Sequence, residues 1–109
     1  MNDRLLSLLG LCRRAGKITI GCDPVIESVK KGESSLVIFA RNTSENTRKT
    51  VLSAVAQSEV EVLNLDYDKE DISVSLGKLC AVASINDKGF AKKLLSLAGE
   101  KNGEECNLC

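Results

Sequence analysis

The chain has 109 residues, enough for one domain with a true core and too few for two. An apolar fraction of 43% and a charged fraction of 28% describe a globular protein, and a formal net charge of zero argues against a strongly basic nucleic-acid binder. No run approaches the roughly 18 apolar residues of a membrane span, the N-terminus lacks a signal-peptide apolar core, and the five cysteines, an odd number, fit reduced thiols better than a disulfide framework.

These features point to a cytoplasmic protein. The charge is unevenly spread. Residues 1–50 carry nine Lys/Arg against five Asp/Glu, and residues 51–109 carry six against ten. A basic half and an acidic half can mark one binding face.

Asn2 can cap a first helix, on which Leu5, Leu8, Leu9 and Cys12 share a face. Arg13 and Arg14 fall near its C-terminus, where cations suit the helix dipole, and they also stand ready for phosphate contact. Gly16 stops the helix, and Lys17–Ile20 can extend, favoured by the β-branched Ile18, Thr19 and Ile20. Gly21 permits a tight turn. Asp23 can cap a second helix with Pro24 as its first residue, and Gly32 can end it as a left-handed cap. A strand passing through glycine into an exposed helix start presents backbone N–H groups to anions. Val25, Ile26 and Val29 form the expected inner side of that helix, and Glu27, Lys30 and Lys31 the wet one.

Leu36–Ala40 is a continuous apolar run of strand length, followed at once by Arg41 and Asn42. Thr43 or Ser44 can cap a third helix with Val51, Leu52 and Val55 inward. Arg48 and Lys49 fall in its early turns, where acids would suit the dipole better; such a conflict can mark an anion-facing surface. Val60–Leu65 alternates as a third strand with Glu61 and Asn64 outward. Asp68 can cap a short fourth helix that Gly77 stops, and Cys80–Ile85 reads as a fourth strand. Asn86 or Asp87 can cap a last helix carrying Phe90, Ala91, Leu94, Leu95 and Ala98, with Gly99 at its end. Helix and strand therefore alternate, which predicts a three-layer α/β/α sandwich. Residues 1–99 form the single domain of this reading, and residues 100–109 a flexible polar tail.

Catalytic signals are missing from the pattern. The sequence has no histidine, the commonest general base and metal ligand. It holds no nucleophile elbow, phosphate loop or dinucleotide fingerprint. Cys106 and Cys109 form one CxxC, two ligands where a structural zinc needs four, so no metal is expected. With only Phe39, Tyr67 and Phe90 as aromatics, there is no platform for stacking single-stranded bases. The residues point to a protein that is not an enzyme.

The strings LLGLCRRAGK, LVIFARNTSENTRK, LGK and INDKGFAKKL, together with Gly21, Val25-Ile26 and Val29-Lys30-Lys31-Gly32, resemble the bacterial YlxQ-like ribosomal proteins. Those belong to the superfamily of archaeal and eukaryal kink-turn-binding proteins of the large ribosomal subunit. The resemblance covers roughly residues 4–98. It implies a central four-stranded mixed sheet within the α/β/α sandwich, binding to kink-turn or similarly bent RNA, and neither cofactor nor catalysis. Ribosomal proteins would be further partners; DNA and membranes would not.

The family's RNA signature, G-x-N-E-x-x-K followed by a helix-ending glycine, carries over in part. Gly21 and Gly32 match its glycines. Asp23 stands at the asparagine, Pro24 at the glutamate and Glu27 at the lysine. An ionised Asp only accepts hydrogen bonds and is repelled by guanine O6 and N7, and Glu27 replaces a phosphate-pairing cation with an anion. The family also uses the loop before its fourth strand, here Gly77, Lys78 and Leu79. The expected RNA-contacting set is thus Lys17, Gly21, Cys22, Asp23, Lys30, Lys31, Arg41, Arg48, Lys49, Gly77, Lys78 and Leu79. The departures at Asp23, Pro24 and Glu27 also fit a protein-interaction module that kept the fold and lost specific RNA recognition.

Overall fold

A computed structural model describes residues 4–108, with side chains through residue 98. The proposed Asn2 cap and the Cys109 end of the CxxC lie outside the described residues. The elements run α1 (Arg4–Arg14), β1 (Ile18–Ile20), α2 (Cys22–Lys30), β2 (Leu36–Phe39), α3 (Glu45–Val55), β3 (Glu61–Asn64), α4 (Lys69–Leu76), β4 (Val82–Ile85) and α5 (Lys88–Leu108).

The strands lie in the order β1-β4-β2-β3. β4 is antiparallel to both β1 and β2, while β2 and β3 are parallel, so the sheet is mixed. The two-residue period of β2 explains the layers. Leu36 and Ile38 join a core with Leu5, Leu9 and Cys12 of α1, Ile72 and Leu76 of α4, and Leu94 of α5. Val37 and Phe39 join a second core with Val25 and Val29 of α2 and Val51 and Val55 of α3. All four β2 side chains are buried, as a strand covered on both faces requires. The result is an α/β/α sandwich.

Helix ends follow identifiable chemistry. After α1, Gly16 N–H donates to Arg13 O and Lys17 N–H to Cys12 O; after α2, Gly32 N–H donates to Val29 O and Glu33 N–H to Ser28 O. Both pairs satisfy last-turn carbonyls in the same crossed pattern. Ser44 rather than Thr43 caps α3, its hydroxyl accepting from Thr47 N–H at 3.2 Å. Asp68 and Asp71 form a reciprocal capping box on α4, and Asp87 accepts from Phe90 N–H at 2.9 Å at the start of α5.

Several expected details change. α2 begins at Cys22, with Gly21 as its N-cap, because Val25 N–H already bonds Gly21 O at 3.0 Å. Asp23 is therefore a first-turn acid and not the cap. Pro24 is the third helical residue, where a missing N–H is still harmless. On α2 the fully buried partner of Val25 and Val29 is Ser28, while Ile26 is half-buried. Leu52, expected inward, is exposed, because Val51 and Val55 already fill the contact with the sheet. α5 continues past Gly99, since a helix accommodates glycine at a cost of about 1 kcal/mol relative to alanine.

One polar side chain binds three elements on the α2 side. Asn86, just after β4, donates its backbone N–H to Lys17 O at 2.8 Å and its Nδ2 to Thr19 Oγ1 at 2.7 Å. Its Oδ1 accepts from Ser28 Oγ at 2.8 Å and from Ser84 Oγ at 2.8 Å. Ser84 Oγ also lies 2.6 Å from Ser34 Oγ, inside the fold. Removing the amide would leave the buried Ser28 hydroxyl without its partner and take one partner each from Thr19 and Ser84. We expect Asn86→Ala to lower unfolding free energy by about 2–4 kcal/mol in denaturant titration, since each buried unsatisfied group costs about 1–3 kcal/mol; a loss below half a kcal/mol would contradict this role.

Candidate nucleic-acid interface

Strand pairing decides which residues meet. Ile20 pairs with Ala83, Phe39 with Val82, and Phe39 with Asn64. The C-terminal ends of β1, β2 and β3 therefore converge on one sheet edge, beside the start of β4. From that edge α2, α3 and α4 each set out, so three positive helix-dipole ends open onto it.

The three starts are not equivalent. α3 is capped by Ser44 and α4 by the Asp68–Asp71 box. α2 has glycine at its N-cap and no side-chain cap bond. Its first turn leaves the Cys22 and Asp23 N–H groups available to an outside acceptor, a ready anion seat. Gly21 is fixed there by its N–H, which donates to Val82 O at 3.2 Å, and by φ 107°, ψ 154°, a conformation that side chains rarely adopt. Asp23 stands exposed in the same turn, and its charge competes with any incoming phosphate.

The expected contact residues other than Lys49, which is exposed on α3, divide into two groups. Gly21, Cys22, Asp23, Arg41 and Arg48 gather at this edge, and Gly77-Lys78-Leu79 form the loop that leads into it through Ala81, whose carbonyl accepts from Ala40 N–H at 2.8 Å. Lys17 precedes β1, and Lys30 and Lys31 end α2, at the opposite end of the sheet, where Ser35 N–H meets Ile85 O. The structure does not bring these three lysines to the Gly21 edge. Strands of three or four residues put opposite ends of β1 at opposite edges, and a nine-residue helix carries its last turn away as well.

The cations also differ in availability. Arg41 is engaged by Asp68 at 2.9 Å and Asp66 at 3.2 Å, and the hydrogen bond and charge of Asp68, seconded by Asp66, raise its pKa further. Lys31 pairs with Glu27 at 2.9 Å, which raises the lysine and lowers the glutamate. Arg48 is held differently, hydrogen-bonded to the neutral Asn64 side chain and stacked 4.8 Å from the Phe39 ring centroid. Neither contact cancels its charge, so it is a positioned cation. Lys49 and Lys78 are exposed and make no ion pair among the described residues.

One neighbour of the loop was not assigned to this set from sequence. Gly77 has φ 70°, and a Cβ there would lie 3.4 Å from the Arg13 guanidinium carbon. Arg13 thus covers the base of the loop. Its pairing with Arg14 was the only sequence signal, since residues 64 positions apart carry no local one.

Cys12, Cys22 and Cys80 are not prepared as nucleophiles. Burial, then the charge of Asp87, raises Cys12 to about 11; burial also raises Cys80, and burial with Asp23 raises Cys22. No cluster of three potential metal ligands occurs among the described residues, and none of their helices is long and apolar enough to cross a membrane.

Comparison with known proteins gives a consistent result. A model of the ribosomal protein L7Ae/L30e/S12e/Gadd45 family matches residues 3–95. The chain is 34% identical over 95 residues to the RNA-binding protein YlxQ of Enterococcus faecium, covering 87% of this chain and 91% of that protein. It is 33% identical over 93 residues to the large ribosomal subunit protein eL30 of Candida glabrata, covering 83% and 88%. Among solved structures, a protein of unknown function from Bacillus halodurans superposes with a TM-score of 0.82 at 29% identity, over 88% of this chain and 97% of that one.

The backbone at Gly21 makes a direct forecast. Gly21→Ala should destabilise the protein by about 1–3 kcal/mol in chemical denaturation, because the added Cβ must take the same rarely occupied conformation; an unchanged midpoint would show that the turn relaxes freely.

Proposed function

We propose, since the chain belongs to the ribosomal protein L7Ae/L30e/S12e/Gadd45 family, that it is a non-enzymatic, ribosome-associated, cytoplasmic protein that binds kink-turn or similarly bent RNA at the Gly21 edge. The observation that carries this reading is the bare N-terminus of α2 facing the same edge as Arg48 and the Lys78 loop. Such an edge offers backbone donors, a helix dipole and unneutralised cations to a phosphate backbone. A bent RNA suits it because the donors gather at one end of the sheet rather than along a flat aromatic platform, and shape carries much of the recognition of structured RNA.

The family signature positions are modified in a way that predicts weak base reading. Asp23 and Glu27 are both exposed anions, with Glu27 committed to Lys31. Phosphate contacts would then supply most of the affinity, with base edges supplying little. The same two anions favour the second reading, a protein-binding module on this fold. Recovery from lysate with and without ribonuclease separates the two, since partners that survive nuclease with no RNA bound support only the second.

Two substitution series test the first reading against a kink-turn RNA and a straight duplex of equal length. Lys78→Ala should reduce the slope of log affinity against log salt by about one, whereas Arg41→Ala should barely change it because its charge is already met by Asp66 and Asp68. Equal, weak binding of both RNAs by the unsubstituted protein would exclude bent-RNA recognition. The second series restores the signature: Asp23→Asn with Glu27→Lys should tighten kink-turn binding by about tenfold or more, the scale of one good base contact. No gain would mean that RNA does not reach this turn.

A further inference from the structure

We propose that the groove between α1 and α4 is a second RNA-contacting site, in which Arg13 and Arg14 grip the sugar–phosphate backbone of the strand that flanks the element held at the Gly21 edge. The inference rests on the RNA-binding reading above and extends it beyond the signature turn to the surface between α1 and α4.

The groove is built by close helix approach. Gly10 faces α4, where a Cβ would sit in ordinary contact, 3.6 Å from Ser75 O. Leu6, Leu11 and Val74 supply its apolar lining, Arg13 and Arg14 its charge, and Gly77 its end, around a volume of about 550 Å³. That space accepts a ribose–phosphate segment. Among the described residues no Asp or Glu lines it. Arg13 and Arg14 are exposed and take part in no ion pair among the described residues, in contrast to Arg41 and Lys31.

Two features make RNA the better occupant. First, the groove is continuous with the proposed RNA loop: Arg13 lies over Gly77, and Lys78 is the next residue. Arg13, Arg14 and Lys78 therefore form one run of unmet positive charge. Second, guanidinium groups match phosphate oxygens as planar, bidentate donors, and the α1 C-terminus holds them in place by its dipole. Leu11 at 51% exposure, Val74 at 85% and Leu79 at 61% leave apolar surface beside these cations for ribose and base faces. A protein would need acidic residues to match the arginines, and it is the alternative outcome of the test.

The test measures binding of the full chain to a kink-turn RNA and to the straight duplex across a salt series. Arg13→Ala with Arg14→Ala should lower the log–log salt slope by about two and weaken binding on the order of tenfold at low salt. Arg13→Lys with Arg14→Lys should keep the slope, which separates lost charge from lost folding. Thermal melting of each variant checks the fold. If the alanine pair leaves slope and affinity unchanged while Lys78→Ala still lowers the slope, the groove is not an RNA site and the Gly21-edge reading survives. If the unsubstituted protein binds neither RNA in a salt-dependent way, both fall. A nuclease-resistant protein partner that the alanine pair loses, with RNA binding intact, would make the groove a protein surface and overturn the proposal.

Discussion

The arrangement of this protein depends on how one amide secures the end of a short sheet. β1 has three residues and pairs with a single neighbour, β4, so its own ladder is a weak anchor. Asn86 supplements it. The backbone N–H holds Lys17, the side-chain amide holds Thr19, and the amide oxygen gathers Ser28 of α2 and Ser84 of β4. β1 and α2 are thereby tied to the rest of the sheet at the end remote from Gly21. With that end fixed, the direction in which β1 delivers the Gly21 turn and the first turn of α2 is fixed too. Buried polar networks specify geometry in this way because any other arrangement leaves a donor or acceptor unmet.

The charges tell a second story about selection among apparent equivalents. A formal net charge of zero conceals a surface on which some cations are spent and others are free. Arg41 looks, from its place after β2, like an anion contact, yet the parallel pairing of β2 with β3 delivers Asp66 and Asp68 to it. Exposed pairs of this kind add little stability, but they do remove a cation from competition for phosphate. Arg48, Lys78, Arg13 and Arg14 keep their charge. The cationic surface of the molecule is thus set more by which carboxylates fold nearby than by the count of lysines and arginines.

Much of the architecture was legible because it is written in local chemistry. The i, i+3, i+4, i+7 spacing of Leu5, Leu8, Leu9 and Cys12, the apolar run of β2 and the glycines after α1, α2 and α4 all report on their own neighbourhood. The start of α2 lies beyond what local chemistry specifies. Asp23-Pro24 is a good helix opening in isolation, but Gly21 is the N-cap because its carbonyl accepts from Val25 N–H, while its own N–H is held by Val82 O of β4. The grouping of site residues was not legible for a different reason. Lys17 and Gly21 are four residues apart and look adjacent, yet a strand between them sends them to opposite edges, while Arg13 and Gly77 meet only through the α1–α4 contact.

The signature departures then have a coherent physical reading. Asp23 occupies the first turn of α2, where a carboxylate is stabilised by the helix dipole, and Glu27 is stabilised by Lys31 one turn on. Both substitutions favour the helix while disfavouring an anionic ligand at its N-terminus. A protein that gained stability there and still held RNA would need its cations elsewhere, and Arg13, Arg14, Lys78 and Arg48 take part in no ion pair among the described residues. On the proposed RNA-binding reading, an acidic signature turn at α2 moves the contact from reading bases there toward gripping backbone along α1 and α4.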